Sequence, residues 1–229
     1  MNPLLPIKTS EIIQLLGAIP HPEGGFFLET HRSGCIPMST RGQTGYDTDT
    51  KLIVTHDRPN KHTDCRRNAL TSILWIPTIK CPTLLLAINM SDHVHYYQGG
   101  KPFQYIVYHP STKVLDKQIV GPDLLAGHKL QFVVPGGSYK CGHMIVDYNS
   151  TPQEYTIIGE GVGPGWSSCD IHCCVENDLN DLDGTVQETL RPYLHENLHR
   201  NNEQERKEIV FDEYYDEDSK REKRTEAWS

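Results

Sequence analysis

Two histidines, His93 and His95, stand two positions apart, and Tyr97 follows two positions later. Alternate side chains of a β-strand share one face, so a strand through this segment presents two imidazoles and a phenol in a row. Neutral imidazole both donates and accepts hydrogen bonds near pH 7, which suits it to general acid and base work. His93, His95 and Tyr97 are therefore the candidate catalytic set. Histidines at this spacing are also able to share a metal ion if a third donor such as Glu29, His31, His143 or Cys141 joins them.

Such a row needs a sheet to hold it, and the chain supplies strand signals at short, regular intervals. Segments 26–32, 70–76, 83–88, 93–97, 104–108, 114–120, 130–134, 138–146 and 155–159 are rich in β-branched and aromatic residues. Turn chemistry separates them, as at Gly99-Gly100-Lys101-Pro102, Gly121-Pro122-Asp123 and Pro135-Gly136-Gly137. Many short strands with scarcely a helix between them indicate an all-β sandwich or barrel and exclude alternating βαβ units. A short N-terminal helix is expected at residues 11–16, capped by Thr9-Ser10 and closed by Gly17. Residues 34–68 read as a polar loop or insertion within a barrel domain spanning 1–175. Residues 176–229 read as a charged, partly helical and partly disordered extension, with helices expected at 185–199, broken at Pro192, and at 203–215.

Composition narrows the function classes. The 229 residues carry 30 acidic and 22 basic side chains, a formal charge of -8, which argues against a nucleic-acid partner. No run approaches the ~20 apolar residues of a membrane helix, and residues 1–7 lack the pattern of a secretory signal. The seven cysteines form no CxxC pair and make a poor disulfide or zinc framework, so reduced thiols and a cytoplasmic location are expected. Gly161-Val162-Gly163-Pro164-Gly165 lacks the lysine and helix of a phosphate loop and reads as a turn.

The segment His21-Pro22-Glu23-Gly24-Gly25-Phe26-Phe27-Leu28-Glu29-Thr30-His31-Arg32-Ser33 resembles the HPEGGxxxETYRS signature of the RmlC-like cupins of the fifth cupin domain family. Four later segments agree in order: 70–74, 91–100, 133–139 and 155–166. The resemblance covers about residues 10 to 175 and implies a double-stranded β-helix, the jelly-roll cupin barrel, with a ligand-sized pocket and a homodimeric assembly. It implies no settled reaction, because a fold shared by enzymes and binding proteins does not decide function.

In the register of this resemblance His93 falls at a carboxylate position, His95 at a tryptophan position, and the upstream family histidine at Ala87. The place where metal-binding cupins put a later histidine is Lys140, a cation that repels a divalent ion. An organic ligand is thus favoured over a metal, and no cofactor is assigned. Lys140 would anchor an anionic substituent, with Glu29, His31, Gln131 and Trp166 completing the ligand-binding set. Glu29 and Arg32, three apart, share a strand face only if a bulge intervenes; Glu29 and His31 are expected inside.

The functional expectation is a small polar or anionic metabolite held in the barrel, with metal-independent isomerase or epimerase chemistry as its sharper form. A metal-dependent oxygenase and a non-catalytic binding or scaffold protein are the alternatives.

Overall fold

In the computed structural model, residues 7–33, 46–47, 52–54, 66–148, 151–168 and 170–195 are described. Helix α1 (Thr9–Leu16) takes in Thr9 and Ser10 instead of being capped by them: Lys8 occupies the cap, its N–H donating to Glu11 Oε2 at 3.0 Å. Gly17 closes the helix in the left-handed region at φ 64°, as its position predicts. Ile12 and Ile13 pack on Phe26, Ile76 and Tyr155, so the helix seals the outside of the first sheet.

Fourteen strands follow one another among the described residues: β1 (Ile19–Pro20), β2 (Phe26–Arg32), β3 (Tyr46–Asp47), β4 (Leu52–Val54), β5 (Arg66–Arg67), β6 (Thr71–Ile76), β7 (Thr83–Asn89), β8 (Asp92–Gly100), β9 (Phe103–His109), β10 (Val114–Val120), β11 (Gln131–Val134), β12 (Tyr139–Met144), β13 (Thr156–Gly163) and β14 (Ile171–Cys173). Eleven of them build two antiparallel sheets, ordered β1-β2-β6-β13-β8-β11 and β10-β9-β12-β7-β14. The protein is thus an all-β jelly roll. The segment expected to be a loop carries β3, β4 and β5, which pair into a small third sheet; the rest of 34–65 lies outside the described residues.

The facing sheets enclose the main core. Trp75, Phe132, Val134 and Ile158 come from the first sheet and Phe103, Tyr105, Val107 and Met144 from the second. Strand β9 reads as a nearly unbroken apolar run because it is covered on both faces: Tyr105 and Val107 point inward, while Ile106 and Tyr108 belong to a second core behind the sheet. An extra residue in β7 opposite Lys140 and Gly142 lets Leu84 join the inner core and Leu86 the outer one despite their even spacing.

The outer core is completed by residues expected to belong to an appendage. A 3-10 turn (Glu176–Leu179) and helix α2 (Gly184–Leu190) bury Leu179, Val186, Leu190 and Leu194 against Leu86, Ile106, Tyr108, Cys141 and Cys174. Asp183 caps α2 through Thr185 N–H at 3.0 Å. The region 176–195 is therefore part of the barrel's packing; the charged composition hid four apolar residues placed on one face. The expected helix at 203–215 and the mixed-charge tail lie outside the described residues.

The HPEGG segment forms the turn into β2, and its glycines adopt angles closed to other residues, with φ 114° at Gly24 and 69° at Gly25. A Cβ on Gly25 would lie 2.8 Å from the Ile76 carbonyl oxygen, so the residue is needed for close approach as well.

Candidate functional site

Strand β8 lies between β13 and β11, and register decides what its inward histidines meet. His95 stands opposite Phe132 on β11 and Glu160 on β13, while His93 stands opposite Val134 and Val162. Directly opposed residues of antiparallel strands share a face, so an imidazole and a carboxylate are driven together inside the barrel. His95 stacks on Phe132 with ring centroids 5.0 Å apart and packs against Tyr105 of the facing sheet. Lys140 enters from β12, also in the facing sheet.

The resulting cluster is buried: His95 is 0 % exposed, His93 5 %, and Lys140 and Glu160 6 % each. Glu160 Oε1 lies 3.3 Å from His95 Nδ1, and Oε2 lies 3.7 Å from His93 Nδ1. Lys140 Nζ lies 3.3 Å from His93 Nδ1, and the Tyr105 hydroxyl lies 3.2 Å from His95 Nδ1. The Nε2 atoms of both histidines are buried with no hydrogen-bond partner among the described residues.

Electrostatics fixes the protonation pattern. Burial, reinforced by the Lys140 cation, pushes the His93 pKa well below its usual range, and burial likewise lowers that of His95 against the pull of Glu160. Burial opposes ionisation of Glu160, yet its interactions with the His95 ring and the Lys140 charge outweigh it and leave the carboxyl well below its ordinary range. Burial pushes the Tyr105 phenol well up, with Glu160 and Glu23 adding to the effect. Two neutral imidazoles therefore lie between a carboxylate and an ammonium. A lysine ammonium only donates, so His93 Nδ1 accepts from Lys140; His95 Nδ1 shares a hydrogen bond with the Tyr105 hydroxyl and lies beside the Glu160 carboxylate. His93 then presents an Nε2–H donor at its free edge.

The residues expected at the site are distributed as follows. His93, His95 and Lys140 meet. Tyr97 shares their face and packs on the core, but its hydroxyl donates to the Gly100 carbonyl at 2.6 Å, and burial raises its phenol to about 12; the phenol at the imidazoles is Tyr105. Gln131 is exposed beside Tyr96, because the alternation in β11 turns Phe132 inward instead. A bulge between Glu29 and His31 turns Glu29 toward Arg32, with which it forms an ion pair at 2.6 Å; both Glu29 and His31 are exposed rather than inside. Trp166 is half-buried near that pair, its carbonyl accepting from Arg32 and its N–H donating to Thr71 Oγ1.

Neither His143 nor Cys141 reaches the histidine pair. His143 shares a hydrogen bond with the Tyr193 hydroxyl at 2.6 Å, and Cys141 lies in the outer core. Glu160 is the group that sequence reasoning missed. Its signal was the inward alternation of Thr156, Ile158, Glu160 and Val162, in which one carboxylate replaces an apolar residue.

His93, His95 and Glu160 also form a donor set whose ligand atoms lie within 4.8 Å of one another. Two imidazoles and a carboxylate suit a divalent transition ion, whereas Lys140 at hydrogen-bond distance from His93 opposes one.

A jelly-roll barrel with polar side chains gathered inside it defines a cupin fold. The chain belongs to the family described as Cupin superfamily (DUF985), whose pattern matches residues 10–174. It is 29 % identical over 165 residues to the uncharacterized protein YML079W of Saccharomyces cerevisiae, covering 71 % of this chain and 74 % of that protein. Among solved structures, a hypothetical protein from Leishmania major superposes with a TM-score of 0.66 at 23 % identity, over 82 % of this chain and 98 % of the other. Protein SO0799 from Shewanella oneidensis gives 0.60 at 19 % identity, over 82 % and 97 %. These two structural likenesses speak to the fold.

Proposed function

We propose that the barrel binds a small polar molecule bearing an anionic group, and that His93 and His95 act on it as a metal-independent acid–base pair of the isomerase or epimerase type. The observation that carries this reading is the pair of buried, unpartnered Nε2 atoms beside Lys140. Buried polar nitrogens without partners cost about 1–3 kcal/mol each, and a ligand that pairs with them recovers that loss. Lys140 draws a phosphate or carboxylate, the His93 Nε2–H donates to a ligand oxygen, and in the tautomer whose Nδ1–H faces Glu160 the His95 Nε2 lone pair accepts a proton from a neighbouring carbon acid. Glu160 stabilises the imidazolium so formed, which exchanges its proton with solvent and returns one proton to the ligand, so the reaction needs no external oxidant or reductant.

A panel of phosphorylated and carboxylated metabolites tests the reading by thermal shift and calorimetry. The expected result is a ligand whose binding falls at least tenfold in Lys140→Met and whose turnover, followed by exchange of a carbon-bound proton with deuterated solvent, is lost in His95→Gln. Binding unaffected by both changes would overturn it. The second reading is a metallocupin, favoured by the donor set His93, His95 and Glu160. Near-stoichiometric transition metal that disappears in His93→Ala/His95→Ala would select it over the first.

A further inference from the structure

A second donor set lies outside the barrel interior, where β14 runs into the 3-10 turn. His172 Nε2 is 2.9 Å from Asp178 Oδ2, and these atoms and Cys174 Sγ all lie within 4.8 Å of one another. We propose that His172, Cys174 and Asp178 form a zinc site that ties the segment after the barrel to the second sheet, with solvent completing the coordination.

The geometry is close to what zinc requires. Bonds of about 2.0–2.3 Å to nitrogen, oxygen and sulfur place the donors of a tetrahedral site roughly 3.3–3.8 Å apart. Side-chain adjustments of about an ångström therefore bring the three onto one ion. The backbone already fixes the donors. Cys174 N–H donates to the Leu86 carbonyl at 3.0 Å, which holds the cysteine on the sheet. Asp178 Oδ2 accepts from Val175 N–H at 2.7 Å, and the Tyr139 hydroxyl donates to the Asp178 carbonyl at 3.2 Å. Such secondary contacts orient ligands before an ion arrives.

Charge distinguishes this set from the one in the barrel. Lys140 stands against His93, whereas the ionisable groups that act on the Cys174 thiol are Asp178, Cys173 and Glu23, none of them a cation. Access differs too: the His172 side chain is 48 % exposed, so an ion reaches the site from solvent, while buried Cys174 supplies the soft donor from below. Binding replaces the S–H bond by a zinc–sulfur bond and releases one proton to solvent; with the Asp178 carboxylate the bound ion is then neutralised.

The test uses the full-length protein titrated with cobalt(II) as a spectroscopic stand-in for zinc. One equivalent is expected to give a thiolate-to-cobalt charge-transfer band, removed by added zinc, abolished in Cys174→Ser, weakened at least tenfold in affinity in His172→Ala, and retained in Cys173→Ser and in His93→Ala/His95→Ala. Zinc is expected to raise the melting temperature of the wild type but not of Cys174→Ser. No band in the wild type, a band that persists in Cys174→Ser, or one that vanishes with the barrel histidines would overturn the assignment. Folding of each variant is checked by circular dichroism, and His172→Ala, altering a half-exposed side chain, decides the matter if Cys174→Ser does not fold.

Discussion

Acidification should destabilise this protein well before its carboxylates titrate, because His93 and His95 are held neutral in the fold. In the unfolded chain each takes up a proton near pH 6.5, while in the native state each resists doing so until a lower pH. A depressed folded-state value means that the stability contribution is complete above about pH 6.5 and is lost as pH falls from there toward the native values. At pH 5.5 each histidine would forfeit about 1.4 kcal/mol relative to pH 7.5, or roughly 2.7 kcal/mol for the pair if neither protonates in the fold. For a chain of this size that corresponds to a fall in melting temperature of about 5–11 °C.

Thermal melts at the two pH values, at constant ionic strength, compare the wild type with His93→Gln/His95→Gln. His143, whose acidity burial also shifts in this direction, is present in both proteins, so the difference in pH sensitivity isolates the pair. The variant should lose several degrees less on acidification than the wild type. Equal losses, or a wild type that gains stability on acidification, would mean that Glu160 holds the histidines protonated and would refute the reasoning.

Other changes have similarly direct consequences. Glu160→Gln removes the buried negative charge that acts on Lys140 and His95, and by chemical denaturation should cost more than the roughly 0–1 kcal/mol expected for an exposed ion pair such as Arg191 with Glu176. Leu190→Ala should cost about 2–5 kcal/mol, because a fully buried side chain leaves a cavity between α2 and the outer face of the second sheet. Gly25→Ala combines a left-handed backbone angle with a clash against the Ile76 carbonyl, and a loss of at least 1 kcal/mol is expected in the same assay. An unchanged denaturation midpoint for any of these would contradict the contact assigned to it.

Local pattern was enough for the fold class and the boundaries of most strands, since period-two burial and turn residues are local properties. It also determined that His93 and His95 share a face, and the HPEGG turn announced its own backbone. It did not determine what those histidines face. The family resemblance had put Lys140 at the site, whereas Glu160 becomes their partner only through the pairing of β13 with β8 and Tyr105 arrives from the opposite sheet, neither of them encoded in a local pattern.

Register likewise decided against Gln131, and one bulge sent Glu29 to Arg32 and left His31 outside, because a shift of one residue reverses every side chain beyond it. The extension shows the same division. Its charge was visible in the sequence, but the apolar face of 176–195 gained meaning only when the outer surface of the second sheet was there to receive it. Composition is summed along the chain, whereas packing depends on what tertiary structure places opposite each face.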